Sequence, residues 1–227
     1  MRAISISLTT VGVLVSMGAG TAGATTITQT IDYGPSYTDW TNSYVFTQFN
    51  PSLGTLNFVT VESQGILNIM TATFTDPTKT AETLTSYQET FQATLTGPSG
   101  TNQNSTVALP SIGPITLGPA GSGSDTASQN ASDQTGNLVT NTYTSSLGVY
   151  EGLGTVTFNG AAQALQMFSG DSNIDWGATT TASQDVTLIY NYTPTGIPEP
   201  FSMLLSGSGL AVMLLGGKRL ARSRGGN

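Results

Sequence analysis

Asp171-Ser172-Asn173-Ile174-Asp175 sets three oxygen-bearing side chains at alternate positions, the D-x-N-x-D opening of a calcium-binding loop. Side chains so spaced on a tight loop can turn toward one hard cation. The remainder of that pattern departs from the chain: its sixth position is Trp176, Gly177 arrives one residue late, and its twelfth is Ala182 rather than Glu. A polar turn between strands accounts for the same residues. Calcium at Asp171, Asn173 and Asp175 is therefore one of two readings, and no cofactor is required.

Paired carboxylates could support glycosidic chemistry, with Glu62, Glu82, Glu89, Glu151, Asp171 and Asp175 as candidates. Twelve acidic residues, all but Glu199, fall within residues 25–196, and most are expected as solvated charges. The sequence has no His and no Cys. That removes the commonest general base, the usual zinc ligand, the Ser-His-Asp triad and every thiol nucleophile. We assign no catalytic residue, and the chain is read as not an enzyme. Trp40 and Trp176 each follow an Asp in a turn-like context and could stack on sugar rings, as could Tyr33, Tyr37 and Tyr150. In a β domain most such rings pack the core or its rim. Asn104, Asn130 and Asn191 each open an N-x-[ST] triplet, a chance pattern unless the chain meets a glycosyltransferase.

The elements that must position these residues read as strands. β-branched and aromatic runs with frequent alternation span residues 25–32, 43–49, 55–62, 66–74, 84–95, 105–109, 112–117, 137–144, 154–158, 164–168 and 184–192. Gln64-Gly65, Asp76-Pro77-Thr78-Lys79-Thr80 and Gly97-Pro98-Ser99-Gly100 read as turns between them. Residues 118–136 lack large apolar side chains and read as a loop or internal linker. The fold class expected is all-β, one antiparallel sandwich over residues 25–192. Leu53-Gly54-Thr55-Leu56-Asn57-Phe58 echoes Leu153-Gly154-Thr155-Val156-Thr157-Phe158, either a duplicated strand or a common turn-to-strand solution.

Charge narrows the partners. Acidic residues outnumber basic ones 13 to 6, and Lys79 is the only cation between Arg2 and Lys218. A middle region so poor in Lys and Arg cannot displace counterions from a phosphate backbone, which excludes nucleic acid. It also offers no attraction to anionic lipid headgroups.

The two ends carry addresses. Arg2, a short apolar stretch from Ile4 to Met17, and Ala22-Gly23-Ala24 form a secretory signal over residues 1–24, with cleavage expected after Ala24. Signal peptidase and the export machinery are the partners implied. At the other end come a stalk and Pro198-Glu199-Pro200 within residues 193–200, an uncharged stretch over 201–217, and a basic tail over 218–227. As a helix the uncharged stretch spans roughly 25 Å, slightly short of a ~30 Å hydrocarbon core. The basic tail belongs in the cytoplasm by the positive-inside rule, leaving the domain outside the inner membrane. Two prolines keep the motif extended at the membrane face.

The order of Pro198-Glu199-Pro200, apolar helix and Arg-rich end resembles the PEP-CTERM sorting signal. That resemblance implies a Gram-negative host that makes extracellular polysaccharide, and processing near Pro198, Glu199 and Pro200 by exosortase. Phe49-Asn50-Pro51-Ser52-Leu53-Gly54-Thr55-Leu56 with Val59-Thr60-Val61, the Thr26 to Thr30 strand and the closing Val186 to Tyr192 strand resemble the choice-of-anchor E domain. The family carries Asp where this chain has Asn50. The two resemblances imply an exported cell-surface or extracellular-matrix protein, structural or adhesive in biofilm or exopolysaccharide. The alternative is a carbohydrate- or calcium-binding surface module.

Overall fold

A computed structural model describes residues 23–195 of the chain. The signal segment including Ala22, the motif Pro198-Glu199-Pro200, the apolar stretch and the basic tail lie outside the described residues. Among the described residues no helix is long and apolar enough to cross a membrane.

Ten strands follow one another: β1 (Thr25–Tyr37), β2 (Trp40–Thr47), β3 (Gly54–Thr75), β4 (Glu82–Thr96), β5 (Asn102–Ala108), β6 (Ile115–Leu117), β7 (Thr126–Thr135), β8 (Val139–Tyr143), β9 (Thr155–Gly170) and β10 (Asp175–Pro194). β4 shows why they form. Tyr87, Glu89, Phe91, Ala93 and Leu95 turn inward at every second position, while Gln88, Thr90, Gln92 and Thr94 are partly exposed on the opposite face.

One sheet has the order β1-β10-β3, with β8 and β7 lying end to end along the far side of β3. The other has the order β2-β9-β4, with β5 and β6 sharing the far side of β4. Every ladder is antiparallel. The two broken edges each count as one strand, so each sheet has four. The chain alternates between sheets as β1, β2, β3, β4, then returns through β7–β8, β9 and β10. That is the double Greek key of a jelly-roll β-sandwich.

Several sequence boundaries need correction. Gln64-Gly65 is no turn; both residues lie inside the continuous β3. Gly65 is there because the facing sheet comes close: a Cβ would sit 2.7 Å from the Ala93 methyl and 2.8 Å from the Phe91 ring. Residues 118–136 are not all linker, since Thr126–Thr135 forms β7 and pairs with Ile66–Thr75 of β3. The runs 154–158 and 164–168 are one strand, β9, and the last strand runs past residue 192 to Pro194, two residues into the stretch read as stalk. The two Leu-Gly-Thr echoes start β3 and β9, which occupy different positions in opposite sheets. They are a shared turn-to-strand solution rather than equivalent strands.

The core divides in two. One cluster gathers Trp40, Leu67, Met70, Phe74, Leu84, Tyr87 and Phe91; the other gathers Tyr44, Phe46, Phe49, Val59, Val61, Phe158, Leu188 and Tyr190. A polar belt crosses between them. The Tyr44 hydroxyl donates to Gln184 Oε1 at 3.1 Å, and Gln184 Nε2 donates to Ser63 Oγ at 2.8 Å. Gln103 Nε2 donates to the Val61 carbonyl at 2.8 Å, and the Gly65 amide donates to Ser105 Oγ at 2.9 Å. Gln184, Ser63, Gln103 and Ser105 are all buried, so the belt ties the two sheets in one register.

Thr25 pairs with Tyr192, so the two ends of the described chain leave the sandwich together. The loops β3–β4, β6–β7 and β9–β10 gather at the opposite end. The Asp76 amide donates to the Asp125 carbonyl at 2.8 Å, and the Asp171 amide to the Thr83 carbonyl at 3.0 Å. β10 runs its 20 residues from one end to the other, roughly 66 Å of extended chain.

Candidate functional site

The loop end holds most of the residues with chemical potential. β3 finishes at Thr75, and Asp76-Pro77-Thr78 turns the chain: Asp76 Oδ1 accepts from the Thr78 amide and the Thr78 hydroxyl, each at 2.7 Å. The turn expected at Asp76–Thr80 is therefore present. Glu82 opens β4 and is 8 % exposed. Its Oε1 accepts from the Thr78 hydroxyl at 3.3 Å and from Asn173 Nδ2 at 3.1 Å.

The three candidate calcium ligands do not converge on one point. Asp171 Oδ2 accepts from the Thr83 amide at 2.7 Å and so pins the β9–β10 loop to β4. Asn173 turns to Glu82 instead. Asp175 is exposed and begins β10 opposite Thr75. Among the described residues no group of three or more Asp and Glu side chains is placed to hold a metal ion.

The aromatic candidates separate. Trp176 is 40 % exposed at the loop end, with its ring parallel to Phe168 at 5.4 Å between centroids and an interplanar angle of 6°. Phe168 in turn stacks on the buried Phe74 at 6.4 Å, so Trp176 is the outermost ring of a pile that roots in the core. Trp40 is not a stacking platform. It is 7 % exposed, packs edge-on against Tyr33 at 4.7 Å, and belongs to the core cluster. Sequence spacing could not show that the first residue of β2 points inward.

The small exposed part of Trp40 lines a depression of about 380 Å³ on the β2-β9-β4 sheet, together with Asp39, Thr41, Gln92, Thr94 and Gln163. Gln163 Nε2 donates to Gln92 Oε1 at 3.1 Å. Asp39 holds a left-handed backbone with φ 69°, a conformation uncommon outside glycine that Asp adopts more readily than most residues. The Trp40 indole N–H is buried without a hydrogen-bond partner.

Of the six carboxylates considered for glycosidic chemistry, Glu89 holds the position least legible in the sequence. It is fully buried between the sheets. Tyr87 Oη donates to its Oε2 at 2.7 Å, Thr180 Oγ1 donates to its Oε1, and Gln166 Nε2 reaches it at 3.5 Å. Burial and the neighbouring Glu89 carboxylate push the Tyr87 phenol well above its ordinary range. Glu62 pairs across from Thr187, and Glu151 bridges to Phe49. A second acidic meeting lies on β1 and β10, where Asp32 faces Asp185 directly. Burial, then the Asp32 charge, raises the Asp185 carboxyl to about 6.

The chain matches no known family model and no curated protein. Among solved structures it is similar to one titled infectious bursal disease virus Gx strain, at 11% identity and TM-score 0.19, over 80% of this chain and 41% of that one. It is also similar to turnip yellow mosaic virus at 8% identity and TM-score 0.21, over 88% and 94% of the two chains. Desmodium yellow mottle tymovirus gives 10% identity and TM-score 0.17, over 88% and 97%. Scores this low carry no argument, and the fold rests on strand order and register alone.

Proposed function

We propose that this chain is an exported, exosortase-sorted protein of the cell surface or extracellular matrix. In this reading it serves as a structural or adhesive component within exopolysaccharide, and not as an enzyme. The observation that carries the reading is the ordered C-terminal series of Pro198-Glu199-Pro200, uncharged stretch and basic tail behind a Thr-rich, cation-poor β domain. The meeting of both ends of the described residues at one pole supports it, because a tether leaving after Thr195 turns the loop end away from the anchoring surface.

Mass spectrometry of the mature protein tests the route. The expected product begins at Thr25 and carries nothing beyond about Pro200, and a strain lacking the processing enzyme retains the tail. Extracellular protein with Lys218–Asn227 intact overturns it.

The depression beside Trp40 favours a second reading, a carbohydrate-binding module. Amides, hydroxyls and a carboxylate line an open hollow, donors and acceptors of the kind that sugar hydroxyls meet. Binding of the full chain to exopolysaccharide should weaken on Gln92→Ala with Gln163→Ala. Weakening on Trp176→Ala alone moves the contact to the loop end, and unchanged binding in all variants removes the reading.

A further inference from the structure

The turn at the loop end crowds oxygen around one hydroxyl and leaves one carboxylate oxygen without a partner. Around the single Thr78 hydroxyl lie Asp76 Oδ1 at 2.7 Å, the Thr80 carbonyl at 2.7 Å, Glu82 Oε1 at 3.3 Å and Thr80 Oγ1 at 3.4 Å. A hydroxyl supplies one proton. The two carboxylates share that one oxygen as neighbour, so their nearest oxygens lie within about 6 Å of each other. Asp76 is fully buried and Glu82 is nine-tenths buried. The second oxygen of the Asp76 carboxylate, Oδ2, is itself buried with no hydrogen-bond partner. Two carboxylates withdrawn from water at this spacing repel, and an unpartnered charged oxygen there is costly. Lys79, the only Lys or Arg in residues 23–195, is exposed on the same turn.

We infer that Asp76 and Glu82 hold a divalent cation of the hard, oxygen-seeking class, calcium foremost, with Thr78, Thr80 and Asn173 completing its shell. The donor set is all oxygen: two carboxylates, a hydroxyl, a carbonyl and a side-chain amide that can present its oxygen in place of its nitrogen. Asn173 comes from the β9–β10 loop, 91 residues from Glu82, so the ion would bind that loop to the β3–β4 turn. This site shares only Asn173 with the D-x-N-x-D series; Asp171 is spent on the Thr83 amide, and Asp175 stands apart.

Calorimetric titration of the full chain with calcium chloride, after chelator treatment, tests the site. One ion per chain is expected, with a dissociation constant of about 10⁻⁴–10⁻³ M, the range of extracellular modules. Glu82→Gln and Asp76→Asn should each weaken binding at least ~10-fold, as loss of a charged ligand does. Asp175→Asn should leave it unchanged. Thermal unfolding in chelator keeps the test open if a variant binds nothing. Glu82→Gln should then unfold no lower than the parent, since it removes a buried charge, and should gain nothing from calcium while the parent does. No calcium heat with the parent, equal affinity in Glu82→Gln, or loss of binding in Asp175→Asn overturns the site.

Discussion

At the scale of single residues, Asp185 is the clearest titrating group. Its ordinary value is 3.8, and burial together with Asp32 across the strand pair raises it to about 6. Between those values the folded protein keeps a proton that the unfolded chain releases. Stability from this group is therefore present below about pH 4 and falls as pH rises through about 6. Asp185→Asn should flatten that part of the profile, measured as thermal unfolding at pH 4, 5 and 6. A profile with the same downward slope in the variant would exclude the pair as its source. The same scale shows where residue type alone misleads. Trp40 and Trp176 have similar sequence settings, yet one is 7 % and the other 40 % exposed. Both rings face the opposite sheet, Trp176 beside the buried Phe74 and Tyr87, but Trp176 sits at the open loop end of the sandwich, which a preceding Asp does not reveal.

At the scale of elements, β9 has an open flank. β2 pairs with it only from Thr155 to Ala162, so Gln163–Gly170 has no strand partner on that side among the described residues. This flank has no charge and no proline, and Leu165 and Met167 are 44 % and 69 % exposed. Natural edges are usually blunted by charged side chains or proline. Met167→Lys should therefore lower concentration-dependent self-association, read by light scattering, without changing the far-ultraviolet spectrum. Scattering that is equal in parent and variant would show that this edge does not pair. Strand content was legible wherever large apolar residues alternate, as in β4. It was not legible in β7, whose inward positions are Ala127, Gln129 and Ala131. Side chains that small and polar look like linker until β3 is set beside them. β3 read as two strands because Gln64-Gly65 has the residue types of a turn, whereas the glycine is there to let the facing Phe91 and Ala93 come close. The loop-end cluster was half legible. Asn173 and Glu82 each drew notice alone, but only the jelly-roll crossing joins residues so far apart in sequence.

At the scale of the whole molecule, strand order places the loop cluster and the two ends of the described residues at opposite poles. The two ends of the described residues lie by Tyr192 and Thr25, and the three long-range loops lie by Asp171 and Asp76. β10 is the only strand that runs from the one pole to the last described residues at the other, and it pairs with β3 from Asp175 to Pro194. Antiparallel hydrogen bonds lie across the strands they join. A weight hung on the Asp171–Ile174 loop and a tether at Thr195 would draw β10 along its own length. The rungs to β3 and β1 would then bear that load together in shear, instead of opening one after another as a peeled hairpin does. The fold thus presents its longest ladder to tension in the orientation that resists it best.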